Sequence, residues 1–422
     1  MSAEIICVGT ELLLGDILNK NAQFLAQQLA RLGIPHYYQT VVGDNPTRLK
    51  QVVEIASSRA SVLIFTGGLG PTPDDLTTET LADFFGVPLI ERPEILEDIA
   101  RKYAQRGREM MPSNRKQALI PQGAEVLPNP GGTAPGIIWQ SRPGLTILTF
   151  PGVPGEMQRM WNETAVPYLK SLGFGKEIIY SRMLRFWGIA ESTLAEKVPA
   201  FLNRANPTVA PYASQGEVKL RISAKAGSEA EAIALILPVA QQLQEIAGLD
   251  YYGADEDTLA SVVGQLLLSK SETLSVAESC TGGGLGQMLT NIAGSSKYFL
   301  GGVISYDNQV KISMLNVNPE DLAQVGAVSA PVAEQMAAGV RSACSTTWAL
   351  SITGIAGPDG GTATKPVGLV YIGLAGPNGE VESFEHRFGT ARSRSLIRHI
   401  SACTALDHLR RKLLTKQSSL QF

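Results

Sequence analysis

Ser279 and Cys280 stand side by side where an expected strand (Leu274 to Glu278) meets the glycine-rich segment SCTGGGLG. Either side chain could attack a carbonyl carbon if a neighbouring base took its proton. No histidine lies near them in sequence, so an imidazole partner such as His386 would have to be brought by the fold. The two nucleophiles therefore stand level. The glycines that follow could aim backbone N–H groups at an anion, or simply make a tight strand–helix turn. Leu289 stands where a dinucleotide fingerprint needs its third glycine, and no Gly-Lys-Ser/Thr follows, which excludes a Walker loop.

Three more segments carry chemical potential. In S-Y-D-N-Q-V-K, Tyr306 ends a strand, Asn308 is placed to cap the next helix, and Lys311 falls in its first turn. A cation there opposes the helix dipole, and with burial its pKa should fall, which would make a neutral amine available as a base. An ordinary exposed lysine is the simpler alternative. TGIAGPDGG offers backbone N–H groups for a phosphate or ribose. In the first third, TGGLGPTPDDLTTE places Asp74 and Asp75 after a glycine loop. Adjacent carboxylates beside a phosphate-sized cradle suit a divalent metal on a diphosphate, unless one of them caps the helix that begins at Leu76. Glu11 and Asp16 add acidic candidates.

The elements that must hold these loops alternate between strand and helix. Apolar runs at Ile5–Val8, Val62–Phe65 and Leu145–Phe150 read as strands buried on both faces. Leu18, Ala22, Leu25, Leu29 and Leu32 recur at helical spacing, with Gly33 as the stop. Near Gly173-Phe174-Gly175 the pattern changes to a small α+β module. It has a strand (179–186), a helix (190–202), an alternating strand (Val218, Leu220, Ile222) and a long helix (229–246). DYYGADE (250–256) reads as a linker. The last third opens with a helix capped by Asp257, then strands at 274–278, 299–306 and 348–353. Ligand loops in such α/β sheets lie at the carboxyl ends of the strands. The expected domains are 1–170, 171–253 and 254–422.

Composition narrows the class. The 422 residues carry 36 Lys and Arg against 39 Asp and Glu, a net charge of −3, with 44% hydrophobic residues and 42 glycines. That excludes a disordered chain and gives no basic footprint for nucleic acid. The mean hydropathy is +0.05, and no apolar run of 18 residues occurs, so no membrane partner is expected. The start lacks a signal-peptide pattern, and four dispersed cysteines give neither a disulfide framework nor zinc spacing, so a cytoplasmic setting is expected. His399 and His408 read as part of a solvated helix face.

These blocks together resemble the CinA (competence/damage-inducible protein A) family over nearly the whole chain. VGTELLLGDILNKN, FTGGLGPTPDD and FPGVPGEM are similar to its molybdopterin-binding-like (MoaB/MogA-like) domain. AESCTGGGLG, AGSSKYFLGGVISYDNQVK, GAVS and SITGIAGPDGG are similar to its nicotinamide mononucleotide (NMN) deamidase domain. The middle segment resembles a KH-like module, but without a GXXG clamp, so no nucleic-acid partner is expected there. The resemblance implies two α/β domains joined by a small α+β domain. It also implies an amidase converting NMN and water to nicotinic acid mononucleotide and ammonia, with no cofactor. Ser279 would be the nucleophile, Lys311 the base and Tyr306 its neighbour.

An oxyanion would meet the Gly282–Gly284 N–H groups. Substrate contacts would come from Thr281, Gly282, Gly283, Asn308, Ser329, Thr353, Gly354, Ile355, Ala356 and Gly357. In the N-terminal domain the resemblance implies an ADP-ribose pyrophosphatase using a divalent metal and potassium, with Asp75 catalytic. Thr66, Gly67, Gly68 and Gly70 would bind substrate, and Asp74 and Asp75 would bind the metal. A homodimer is the expected assembly. Two alternatives are that only the C-terminal domain is catalytic and the N-terminal domain is a dimerising, ligand-binding scaffold, or that the chain is a non-catalytic competence or recombination accessory.

Overall fold

A computed structural model of the chain describes residues 2–418; the first and last positions of the expected outer domains, 1 and 419–422, lie outside the described residues. Two units form, one from Met1–Tyr180 with Ala224–Leu235 and one from Ser181–Ser223 with Ile236–Phe422.

The first unit holds a six-stranded sheet in the order His36–Val42, Ala3–Val8, Val62–Thr66, Leu145–Phe150, Gly136–Arg142, Glu125–Leu127. The first four strands run parallel and the last two antiparallel, so the sheet is mixed. Every residue of Ala3–Val8, Val62–Thr66 and Leu145–Phe150 is buried. Because side chains alternate across a strand, Ile5, Ile64 and Leu148 enter one core and Ile6, Leu63 and Ile147 the other. The helix of Lys20–Arg31 ends at Leu32, with Gly33 in the left-handed region (φ 62°). A Cβ there would lie 1.7 Å from the Glu177 carbonyl oxygen, which restricts the site to glycine.

A four-stranded sheet follows, in the order Thr208–Ser214, Glu217–Ala226, Ile178–Trp187, Tyr251–Ala254. The segment read as a linker therefore contributes a strand. Tyr251 opposes Phe186 and Tyr252 is buried, so aromatic burial overrides the polar composition of DYYGADE. The helix expected over 190–202 is two helices, Glu191–Lys197 and Pro199–Leu202. The long helix is apolar enough over Glu229–Asp250 to cross a membrane by length and composition. Its buried residues, Ala232, Ile236, Val239, Ala240, Leu243 and Ala247, follow the one-sided spacing of a core helix.

The C-terminal sheet runs Phe299–Ile304, Leu274–Glu278, Trp348–Gly354, Leu369–Ala375, Val381–Arg387. Its first three strands are parallel, so their carboxyl ends lie side by side, with Glu278 opposite both Ile304 and Ile352. The helix Leu259–Lys270 is capped by Thr258, whose hydroxyl accepts from Ser261 N; Asp257, expected in that role, accepts from Ala254 N instead. The basic-looking helix Arg394–Ser418 is a core element, burying Ile397, Ile400, Leu406, Leu409 and Leu413.

Candidate functional site

Three loops at the carboxyl edge of the C-terminal sheet bring together the residues singled out by their chemistry. Ser279 follows the Leu274–Glu278 strand, and its N–H donates to Ile352 O at 2.9 Å, while Ser305 N donates to Glu278 O at 2.8 Å. The SCTGGGLG loop is thus stitched to the strands that carry Thr353 and Tyr306.

Lys311 is the least expected of these side chains. It is 1% exposed, and its ammonium donates to Ser305 O (2.8 Å) and Tyr306 O (3.3 Å). Burial lowers its pKa, with Asp307 and the Cys280 thiol partly opposing. The exposed-lysine alternative is therefore excluded. The helix Asn308–Leu315 is capped by Asp307, whose carboxylate accepts from Gln309 N, rather than by Asn308, which sits exposed in the first turn.

The level choice between Ser279 and Cys280 tilts to serine. Burial pushes the Cys280 thiol up to about 12, so it stays protonated at neutral pH and is a poor nucleophile. Nor does His386 reach this site as a partner: its Nε2 lies 2.9 Å from His408 Nε2. His408, expected on a solvated face, is half-buried there.

The glycine loop departs from expectation. Glu278, 1% exposed, turns its carboxylate back into the loop and accepts from Gly283 N (3.0 Å), Leu285 N (3.0 Å) and Gly286 N (2.8 Å). Gly282 N donates to Ser279 O and Gly284 N to Thr281 O. The N–H groups of Gly282–Gly284 are thus already spent, and an oxyanion cannot be held by them as the loop stands. The chain has placed its own carboxylate where a phosphate would otherwise bind a helix N-terminus.

Other donors are unspent. Thr281 Oγ1, Ser305 Oγ and Arg398 Nε are buried with no partner, and Thr281 and Ser305 are fully buried residues. Unpartnered buried polar atoms are costly, and their grouping around one strand edge marks a place for a polar ligand. Two arginines from the last helix complete the edge. Arg398 Nη2 donates to Thr281 O at 2.7 Å. Arg394 donates through Nη1 to Gly357 O at 2.6 Å and through Nη2 to the Tyr306 hydroxyl at 3.1 Å. Sequence reasoning missed both; the only available signal was their spacing of one helical turn.

Among the remaining expected contacts, Thr353 donates its hydroxyl to Ala327 O and Ser329 to Gly326 O, which ties the GAVS segment to the third loop. Gly354 ends its strand, Ile355 N donates to Leu369 O, and Ala356 is buried. Gly357 has φ 73°, and a Cβ there would meet Val367 Cγ1 at 2.6 Å.

The first unit has a separate cleft of about 810 Å³, into which Glu11, Asp44, Thr66, Gly67, Gly68, Gly70, Asp74, Asp75 and Glu156 all face. Gly67 (φ 105°) passes so close that a Cβ would lie 2.1 Å from Val8 O, and one on Gly70 would lie 2.3 Å from Asp75 Oδ2. Thr66 Oγ1 accepts from Asn21 and donates to Pro151 O. Asp75 accepts from Thr72 N at 2.9 Å and from the Thr72 hydroxyl, so it closes its own turn. The helix Thr77–Phe84 has no side-chain cap, contrary to the capping alternative. The nearby Thr72 hydroxyl, Asp74's own backbone N–H and the Lys116 charge hold the exposed Asp74 carboxyl below the usual carboxylate range.

Among the described residues, no three His, Cys, Asp or Glu side chains converge as metal ligands. The donor set therefore does not fit a closed protein cage. It does fit a hydrated magnesium-type ion held by one or two carboxylates and a substrate's phosphates.

Residues 256–413 match the family described as the CinA C-terminal domain, 4–171 the probable molybdopterin binding domain, and 181–253 the damage-inducible protein CinA KH domain. A CinA-like protein of Nostoc punctiforme is 76% identical over 99% of this chain and 100% of its own length. One from Trichormus variabilis is 75% identical over the same shares. Among solved structures, the competence/damage inducible protein CihA from Agrobacterium tumefaciens is 42% identical over 36% of this chain and 91% of that chain, with a TM-score of 0.35.

Proposed function

Because the chain belongs to the CinA family, with a molybdopterin-binding-type domain, a KH-like domain and a CinA C-terminal domain, we propose that its C-terminal domain hydrolyses NMN to nicotinic acid mononucleotide and ammonia. The observation that carries this reading is Lys311: a fully buried lysine with a lowered pKa, bonded to the loop that leaves the Phe299–Ile304 strand, which pairs with the strand delivering Ser279.

In this mechanism Ser279 Oγ attacks the carboxamide carbon while neutral Lys311 takes the hydroxyl proton. The C–N bond then breaks, the Lys311 ammonium returns that proton to the leaving nitrogen, and ammonia departs. Water hydrolyses the acyl-serine ester with Lys311 again as base, regenerating Ser279 and releasing the acid. The carboxamide oxygen takes its hydrogen bonds from the unpartnered Thr281 and Ser305 hydroxyls, since the glycine N–H groups are occupied. The phosphate end meets Arg394 and Arg398. Arg398→Ala should raise KM for NMN about tenfold while kcat changes little, because its contact is shared by ground and transition states. Steady-state ammonia release measures the split, and a fall in kcat at unchanged KM would refute it.

For the N-terminal domain we propose hydrolysis of ADP-ribose to AMP and ribose 5-phosphate in the cleft lined by Asp74 and Asp75. A divalent ion there would neutralise charge on the diphosphate. Asp75 and Asp74 would hold its waters, and the close backbone at Gly67–Gly70 would admit the phosphates. Asp75→Asn keeps an acceptor for Thr72 but removes the charge, so metal-dependent AMP formation should be lost while thermal stability is retained; unchanged AMP formation would count against a catalytic Asp75. The second reading, a scaffold that holds a ligand without turning it over, is favoured by the engagement of Asp75 with Thr72.

A further inference from the structure

The second unit contains a cavity of about 550 Å³ that none of the proposed chemistry uses. It is within the size range of small-molecule sites. Its walls include Trp187, His386, Phe388, Arg392, His408 and Arg411.

Two features give it a chemical character. The first is an aromatic wall, in which the His386 and His408 planes are tilted by 49° to each other. His386 and Phe388 are parallel, with an interplanar angle of 1° and centroids 5.4 Å apart, and His408 stacks on Phe384 at 3.8 Å. The two imidazoles face each other through their Nε2 atoms at 2.9 Å, a distance that suits one N–H donating to one lone pair. Burial lowers the pKa of both, and His408 is brought down to about 4, so at neutral pH the pair is uncharged and presents faces for stacking. The second feature is one uncommitted cation. Arg411 is spent on Asp407, Asp250 and Trp187 O. Arg392 is exposed and, among the described residues, has no hydrogen bond or ion pair. Aromatic faces with an available guanidinium recognise a planar ring that carries an anionic group.

The cavity is also wired to the Ser279 edge. Arg392 lies two residues before Arg394, which holds Gly357 O and the Tyr306 hydroxyl, and the connection over 388–393 is irregular backbone with Gly389 at φ 90°. The same helix that turns Arg394 and Arg398 to the site turns Ile400, Thr404, His408 and Arg411 to the cavity.

We propose that this cavity is a second binding site, for a planar aromatic anion, and that its occupancy repositions Arg394 through the 388–394 connection and so changes KM at the Ser279 site. Binding stands independently of the deamidase reading; only the kinetic consequence rests on it.

The chain has four histidines, which makes imidazole NMR of the full-length protein a local probe. Titration with AMP and with nicotinate separates a nucleotide occupant from a free aromatic acid, and inorganic phosphate serves as the anion-only probe. The His386 and His408 signals should shift saturably with at least one aromatic anion and not with phosphate, while exposed His399 stays put. Arg392→Gln, a surface change, should weaken that binding at least tenfold. Absence of any saturable shift up to about 10 mM, which corresponds to negligible affinity, would overturn the site. So would equal shifts with phosphate alone, or undiminished binding in Arg392→Gln. With the occupant bound, KM for NMN should change severalfold; an unchanged KM alongside clear histidine shifts would overturn the coupling. If NMN is not hydrolysed at all, the deamidase reading falls while the histidine titration still decides the cavity.

Discussion

Ser279→Ala should abolish ammonia release from NMN, lowering kcat by roughly 10⁴-fold, the scale on which a hydrolase loses a nucleophile or its partner. Lys311→Ala should do nearly the same, and the double variant should be no worse than either single one, because nucleophile and base act as one unit. The pH dependence carries the sign. Burial favours the neutral amine, so Lys311 loses its proton below the ordinary lysine value. kcat/KM should therefore climb from acid pH to a plateau as the ammonium deprotonates, with its acid limb below the pH at which an ordinary lysine titrates. Lys311→Arg, which keeps the charge but cannot act as a base, should be inactive at every pH. Cys280→Ala should retain turnover, since that thiol is held protonated up to about 12. Rates near normal in Ser279→Ala or Lys311→Ala would sink the mechanism.

The second large effect is structural. Glu278→Ala should destabilise the Ser279 loop by roughly 3 kcal/mol, because Gly283, Leu285 and Gly286 each lose a carboxylate acceptor in a partly or fully buried setting. Against a folding free energy of about 5–15 kcal/mol that is a substantial fraction. The urea concentration at which NMN turnover is lost should drop markedly. Glu278→Gln, which retains an acceptor oxygen, should recover part of the loss. An unaltered midpoint in Glu278→Ala would show that these three hydrogen bonds contribute little.

Much of the fold was legible from residue patterns, and particular elements show why. Leu274–Glu278 and Leu145–Phe150 have the bounds read from their residues, since a strand buried on both faces is mostly apolar rather than alternating, and the polar residues within them (Ser275, Glu278, Thr146, Thr149) are buried too. Tyr251–Ala254 was misread because aromatic burial depends on a partner strand some 70 residues away. Capping was misassigned twice by one residue, at Asp257 and Asn308. Adjacent Asp, Thr and Asn are chemically interchangeable as caps, and only φ/ψ chooses among them.

The sequence by itself determined which chemistries were available: a hydroxyl and a thiol at a strand end, an amine after the next strand, and glycines where backbones approach closely. These follow from local covalent structure and from hydrophobic periodicity. Only the tertiary structure decided which groups remain available for chemistry. It buried Lys311 and Cys280, shifting their protonation in directions that favour serine over thiol. It spent the glycine N–H groups on Glu278, and it brought Arg398 to Thr281 across 117 positions of sequence. Desolvation and hydrogen-bond satisfaction depend on every neighbour in space, and most of those neighbours are distant in the chain.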